Sequence, residues 1–183
     1  MNEVIKAIME RYSCRDFTGE PLTCQQVETL AKAAVAAPSG LNLQPWHVIA
    51  VTDKAMIDEY GVECLAIIKE QSPEAYQRIM GRGGSVLYNA PCMIFIVKNN
   101  SGADVDCGIA IQNVALAAHS MGLGNVICGM AKAAFNGPNA DKWAKRLQVP
   151  EGYSFGISIL AGTAQSGKEP HELDLNKITY VGR

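Results

Sequence analysis

The sequence predicts an α+β fold, on three observations. Apolar residues recur at helical spacing in more segments than they form strand-like runs. The two kinds of segment do not alternate as they would in a doubly wound sheet. No repeat, low-complexity tract or linker interrupts the 183 residues, so 1–183 reads as one domain, long enough to bury a core without disulfide or metal staples.

The elements follow in order. Val4, Ile5, Ile8 and Met9 mark a short opening helix. Thr23 with Gln26 three positions later fits a capping box, and Val27, Leu30, Ala31 and Ala34 trace one face of the helix it starts. Pro38 ends that helix, because proline lacks a donor and disfavours a helical predecessor. Residues 46–51 are β-rich and predict a strand with Trp46 as a core anchor. Residues 53–71 and 73–80 read as helices separated at Ser72-Pro73, and Gly81, Gly83 and Gly84 mark a loop. The unbroken apolar run 92–97 predicts a fully buried strand. Residues 106–121 form a helix apolar on most sides, fit for the middle of a protein or a subunit interface; His119 on it reads as an interior or interface histidine. Gly122-Leu123-Gly124 closes that helix. A small helix over 141–147 precedes a last core strand over 154–160, where Phe155, Ile157 and Ile159 alternate. The polar tail from Lys168 carries Ile178, Tyr180 and Val181 near its end and is either frayed or docked on another surface.

Bulk chemistry removes several function classes. Sixteen basic against eighteen acidic residues give a net charge of −2, which offers no basic field to nucleic acid or to an acidic membrane. No apolar run approaches the roughly 20 residues that span a bilayer, and the first eleven residues lack the apolar region of a signal peptide. Six cysteines without a C-x-x-C and three histidines without H-E-x-x-H exclude zinc or iron–sulfur spacing. Reduced cysteines and a cytoplasmic location are the expectation.

Four segments could carry chemistry. Arg11-Tyr12-Ser13-Cys14-Arg15 places two guanidiniums around a hydroxyl, suited to a phosphate or a carbonyl-rich ring edge; it also reads as a solvated turn with two surface arginines. Ala37 to Trp46 fixes a loop with two prolines and a glycine and presents Ser39, Asn42 and Gln44, neutral groups that match a flavin or purine edge, or it is an ordinary loop entering a strand. Gly122 to Met130 is not a dinucleotide fingerprint, since its glycines are wrongly spaced, but its backbone can come close to a ligand. Gly162 to Lys168 matches a P-loop up to its end, where Glu169 and Pro170 replace the magnesium-binding hydroxyl and the helix start. A lone Lys168 can still meet a phosphate. No G-x-S-x-G or Cys–His pairing is evident, as expected where a cofactor carries the reaction.

Taken together and in order, these segments resemble the FMN-dependent nitroreductase family over nearly the whole chain. The resemblance rests on R-x-S-x-R-x-F at Arg11 to Phe17, A-P-S-G-x-N-x-Q-P-W at Ala37 to Trp46, N-A-P at Asn89 to Pro91, D-x-G-x-A-x-Q-N at Asp106 to Asn113, the G-L-G turn and K-I-T-Y near Lys177. It implies a central mixed or antiparallel sheet flanked by helices, in an interlocked homodimer with two FMN sites at the subunit interface. By that resemblance Arg11, Tyr12, Ser13 and Arg15 of one chain bind the cofactor, with Pro38, Ser39, Gly40 and Asn42 supplied by the partner. Ile127 also binds the cofactor, the backbone of Cys128 and Gly129 faces the flavin N5 and O4 edge, and Lys168 lies near the phosphate. NADH or NADPH would reduce the flavin, and a nitroaromatic, quinone or similar electron-poor small molecule would reoxidise it in a ping-pong cycle. The competing readings are a flavin store or redox sensor using Cys128, and a specialised flavin enzyme such as a dehalogenase.

Overall fold

A computed structural model of the chain describes residues 2–101 and 104–182. Four strands, β1 (Trp46–Val51), β2 (Cys92–Lys98), β3 (Gly124–Ile127) and β4 (Ser154–Gly162), form one sheet in the order β1-β2-β4-β3. Every pairing is antiparallel, which resolves the mixed or antiparallel expectation. β2 is central and buried on both faces. Met93, Phe95 and Val97 enter one core, and Cys92, Ile94 and Ile96 enter the other, as the two-residue repeat of a strand requires.

Helices cover both faces. The second core packs under α2 (Cys24–Val35) and α5 (Asp104–Ser120), through Leu30, Ala34, Ala110, Ile111 and Val114. The first packs under α3 (Lys54–Gln71), α4 (Pro73–Met80), α6 (Lys132–Phe135) and α7 (Ala140–Arg146), around Ile57, Tyr60, Ile79, Phe135 and Trp143. Tyr60 meets the Trp143 ring edge-on at 4.7 Å, and its hydroxyl donates to the Ala131 carbonyl at 2.7 Å. Trp46 lies in the second core, as its sequence context predicts. α5 comes close to the sheet because Gly156 sits at a register irregularity between Ile96 and Val97. A side chain there would meet the Ile96 carbonyl at 2.6 Å and Cys107 Sγ at 2.7 Å.

The local signals act as expected. Thr23 and Gln26 form both halves of the capping box. Gly122 takes a φ of 74° after α5, and the Leu123 N–H donates back to the Ala118 carbonyl at 2.9 Å, a Schellman-type stop. Two elements escaped the periodicity. β3 has four residues, too few for an alternation, and α6 also has four. The opening helix, α1 (Glu3–Glu10), buries Ala7 and leaves Val4, Ile5, Ile8 and Met9 exposed. Among the described residues no helix is long and apolar enough to cross a membrane, and no cluster of side chains could hold a metal ion.

Candidate cofactor site

The arginine-rich turn is held between the ends of two strands. Ser13 forms a parallel bridge with Asn125 of β3, and the Cys14 N–H donates to the Asn125 carbonyl at 2.8 Å. Phe17 bridges Ala164 just past β4, the Thr18 N–H donates to Thr163 at 3.0 Å and the Gln165 N–H to Asp16 at 2.9 Å. The side chains tighten the same seam: the Ser166 hydroxyl donates to Asp16 Oδ2 at 3.0 Å and the Tyr12 hydroxyl to the Ser166 carbonyl at 3.4 Å. Cys14 and Phe17 are buried and fix the segment, while Arg15 and Asp16 face outward.

Along this seam runs a cleft of about 500 Å³, walled by Tyr12, Ser13, Arg15, Asp16, Arg82 and Lys168. A second cavity of about 350 Å³ opens among Tyr88, Ile127, Cys128 and Gly129, and it shares Arg15 and Arg82 with the first. Lys168 therefore joins the cleft from a segment that resembled a P-loop. No helix follows Lys168 directly, in keeping with Glu169-Pro170. Three cations face one carboxylate, Asp16, whose Oδ2 already accepts from Ser166.

The second cavity is lined by the same two guanidiniums, Arg15 and Arg82, and, among the described residues, by no carboxylate. Burial raises the Tyr88 phenol above its ordinary value, and Arg15 beside it opposes that rise. Cys128 is almost fully buried, and burial pushes its thiol up as well. Both backbone groups of Cys128 are occupied by Ser158: its N–H donates to the Ser158 carbonyl at 2.8 Å, and its carbonyl accepts from the Ser158 hydroxyl at 2.7 Å. The expectation that Cys128 and Gly129 both offer backbone to a ligand thus narrows to Gly129. That residue opens a 3₁₀ turn over Gly129–Ala131, so its N–H has no carbonyl of its own helix to reach. A side chain at Gly129 would meet nothing nearer than Ile157 at 4.0 Å, so the space beside its backbone is open.

The remaining predicted residues lie elsewhere in the single chain. Arg11 lines neither cavity; its N–H caps α1 on the Ala7 carbonyl at 3.1 Å. Pro38, Ser39, Gly40 and Asn42 also line neither. Their loop is tied down by the Gly40 N–H on buried Asp106 at 3.1 Å and the Gln44 N–H on Ser39 Oγ at 2.9 Å, with Leu41 and Asn42 at positive φ.

A sequence model of the nitroreductase family matches residues 8–162. The chain belongs to the nitroreductase family. Among the relatives of this nitroreductase-family chain, a protein of Methanothermobacter thermautotrophicus is 30% identical over 134 residues, which cover 70% of this chain and 61% of that protein. The chain thus spans about three fifths of that archaeal relative. An FMN reductase (NAD(P)H) of Bacillus subtilis is 28% identical, with 100% of this chain and 76% of the relative covered. The solved structure of a Desulfitobacterium hafniense nitroreductase with bound FMN is 47% identical, with 99% of each chain covered and a TM-score of 0.95. Within this fold, sequence reasoning missed Arg82 and Tyr88. Arg82 stands in Gly81-Arg82-Gly83-Gly84, where the glycines announce a loop and leave its one cation unexplained; Tyr88 lies just before the N-A-P motif.

Proposed function

We propose that this chain is an FMN-dependent oxidoreductase that takes electrons from NADH or NADPH and delivers them to nitroaromatics, quinones or similar electron-poor acceptors. The observation that carries the reading is the two-lobed cleft, in which Ser13, Arg15, Arg82 and Lys168 converge beside the open backbone of Gly129. This donor set fits FMN. The cations and the serine hydroxyl suit the phosphate and ribityl end, and a neutral N–H beside an uncrowded glycine suits the ring edge. The D. hafniense neighbour with bound FMN and the B. subtilis FMN reductase support the same cofactor and donor.

Bound FMN supplies a two-electron carrier able to accept a hydride and release it again. The overall change for a quinone is NAD(P)H + H⁺ + quinone → NAD(P)⁺ + hydroquinone. The chain's own groups position and polarise. Arg15 and Arg82, shared by both lobes, would hold the cofactor and set positive charge beside it. Ser158 locks the peptide on the N-terminal side of Gly129, which holds the Gly129 N–H in place without reorganisation.

The working unit is a homodimer with FMN sites between the subunits, and Pro38, Ser39, Gly40 and Asn42 enter the site from the partner. Two facts support this. These four residues line neither lobe of their own chain's cleft. Val4, Ile5, Ile8 and Met9 on α1, Val105 and Ile109 on α5, and Leu173, Leu175, Ile178, Tyr180 and Val181 on the tail leave large apolar side chains exposed. Six unpaired thiols suit the reducing cytoplasm. A redox sensor built on Cys128 is disfavoured, because a sensing thiol must be accessible and readily ionised, whereas this one is buried with its pKa raised.

Anaerobic mixing of the flavin-loaded protein with NADH or NADPH tests the proposal. Bleaching of the oxidised flavin band within seconds, and its return on adding a quinone, is the expected result. A flavin that stays yellow with both donors would sink the reductase reading.

A further inference from the structure

Asp106 and Asn113, the first and last residues of the D-x-G-x-A-x-Q-N motif, stand two helical turns apart on α5, which puts both on one face. The Asn113 side-chain amide donates to the Ala33 carbonyl at 3.2 Å, and Asp106 Oδ1 accepts from the Gly40 N–H at 3.1 Å. Ala33 lies in the last turn of α2, where carbonyls lack a partner within the helix, and Gly40 opens a 3₁₀ turn, whose first N–H lacks one too. α5 thus pins both ends of the connection 33–40. Asp106 is buried, whereas the loop beyond Gly40 is exposed, Leu41 almost completely. That crest also holds an uncommon backbone, with Leu41, Asn42 and Gln44 at φ of 51°, 55° and 45°. Left-handed backbone at a leucine persists where the surroundings over-determine it, as at ligand clamps. The Asn42 N–H on the Ser39 carbonyl and the Gln44 amide on Asn42 Oδ1, both at 3.0 Å, fix the crest's shape, and Asp106 fixes its aim.

We infer that Asp106 is a positioning residue for a cofactor site it does not touch: it sets the pose in which Ser39, Gly40 and Asn42 reach the partner subunit's cleft. The inference rests on the homodimer reading above. Neutral hydroxyl and amide groups add affinity for a ring edge when they arrive together at hydrogen-bond distance. Ordering their loop before FMN binds removes an entropic cost of binding. Asp106 holds the loop of its own chain, so its effect is read in the other chain's site.

FMN affinity, read by flavin fluorescence on apoprotein, tests this. Asp106→Ala should weaken binding about five- to a hundredfold, the span of a hydrogen bond lost at a buried partner, while Asp106→Asn, which keeps an acceptor oxygen, should stay within about threefold of the unsubstituted protein. The deciding measurement is a mixed dimer of an Asp106→Ala chain with an Arg15→Ala chain, purified through two affinity tags. One of its sites joins the intact cleft of the first chain to the intact loop of the second, and the other joins both lesions. One site per dimer should therefore regain the unsubstituted Kd, although neither parent homodimer has it. The regained site is the Asp106→Ala chain's own cleft, so its recovery also shows that this chain folds. Asp106→Ser, whose side chain stops short of Gly40, takes the same cross if the alanine chain does not fold. If no site regains the affinity, Asp106 acts within its own chain, and the inference fails while the homodimer stands. Unchanged affinity in Asp106→Ala, or an equal loss in Asp106→Asn, would also overturn it. If the unsubstituted protein sediments as a single chain, the homodimer reading fails and the inference falls with it.

Discussion

At the scale of single residues, the cleft depends on cations that come from three separate parts of the sequence. Arg15 is exposed and shared by both lobes, so Arg15→Ala should weaken FMN binding by about 1.5–3 kcal/mol, or roughly ten- to a hundredfold in Kd, the worth of a charge-assisted hydrogen bond. Flavin fluorescence during titration of apoprotein reads this directly. Arg15 and Ser13 were marked by two guanidiniums around a hydroxyl, a short basic motif that reads more readily as a solvated turn; only its order with the other motifs pointed it at a cofactor. Arg82 was not legible, since one cation in a glycine loop has no spacing to betray it and meets Arg15 only through the fold. The cysteines follow burial. Cys24 is exposed, whereas Cys14, Cys64, Cys92, Cys107 and Cys128 are buried. Burial pushes Cys64 and Cys92 up to about 12, so their thiolate fraction stays negligible at neutral pH and grows only as the solution approaches that value. A thiol reagent at pH 8 should therefore titrate one cysteine rapidly in the native protein and six after denaturation.

At the scale of elements, the fold was most legible where a periodicity is long. The sequence spans 46–51 and 73–80 coincide with β1 and α4, and the all-apolar run at 92–97 is the central strand buried on both sides. β3 was missed because its identity as a strand comes from what flanks it: β4 on one edge and the Ser13 seam on the other. Glycine at strand ends has a packing reason that sequence cannot express. A Cβ at Gly162, the last residue of β4, would lie 2.5 Å from Pro91 Cδ and 3.1 Å from the Phe17 ring, and neither ring can give way cheaply. Gly162→Ala should cost roughly 1–3 kcal/mol of stability, each kcal/mol lowering Tm by about 2–4 °C in a chain of this size. Gly129→Ala, with open space around it, should leave the apoprotein's melting temperature unchanged and reduce its affinity for FMN. Calorimetry of the two apoproteins separates the packing glycine from the site glycine.

At the scale of the whole molecule, a single chain carries half of what its sequence motifs promise. The loop from Ala37 to Trp46 was the most specific motif, yet its polar groups lie apart from the cleft of their own chain; in the proposed homodimer the partner's copy would reach it. Sedimentation at micromolar concentration should give a mass near twice the 19.6 kDa of the chain, and a species of single-chain mass would contradict the shared site. The exposed apolar side chains of α1, α5 and the tail were visible in the sequence as residues, but their isolation from both cores was not, because burial is a property of the assembled fold. The seam between residues 13–18 and the ends of β3 and β4 has a wider consequence. The stretch proposed to bind the cofactor also covers an otherwise open sheet edge, whose unpaired backbone would template association with other chains. A substitution that breaks the seam would bare backbone able to pair with another chain, so the aggregation of such a variant would report on the edge and not on the cofactor.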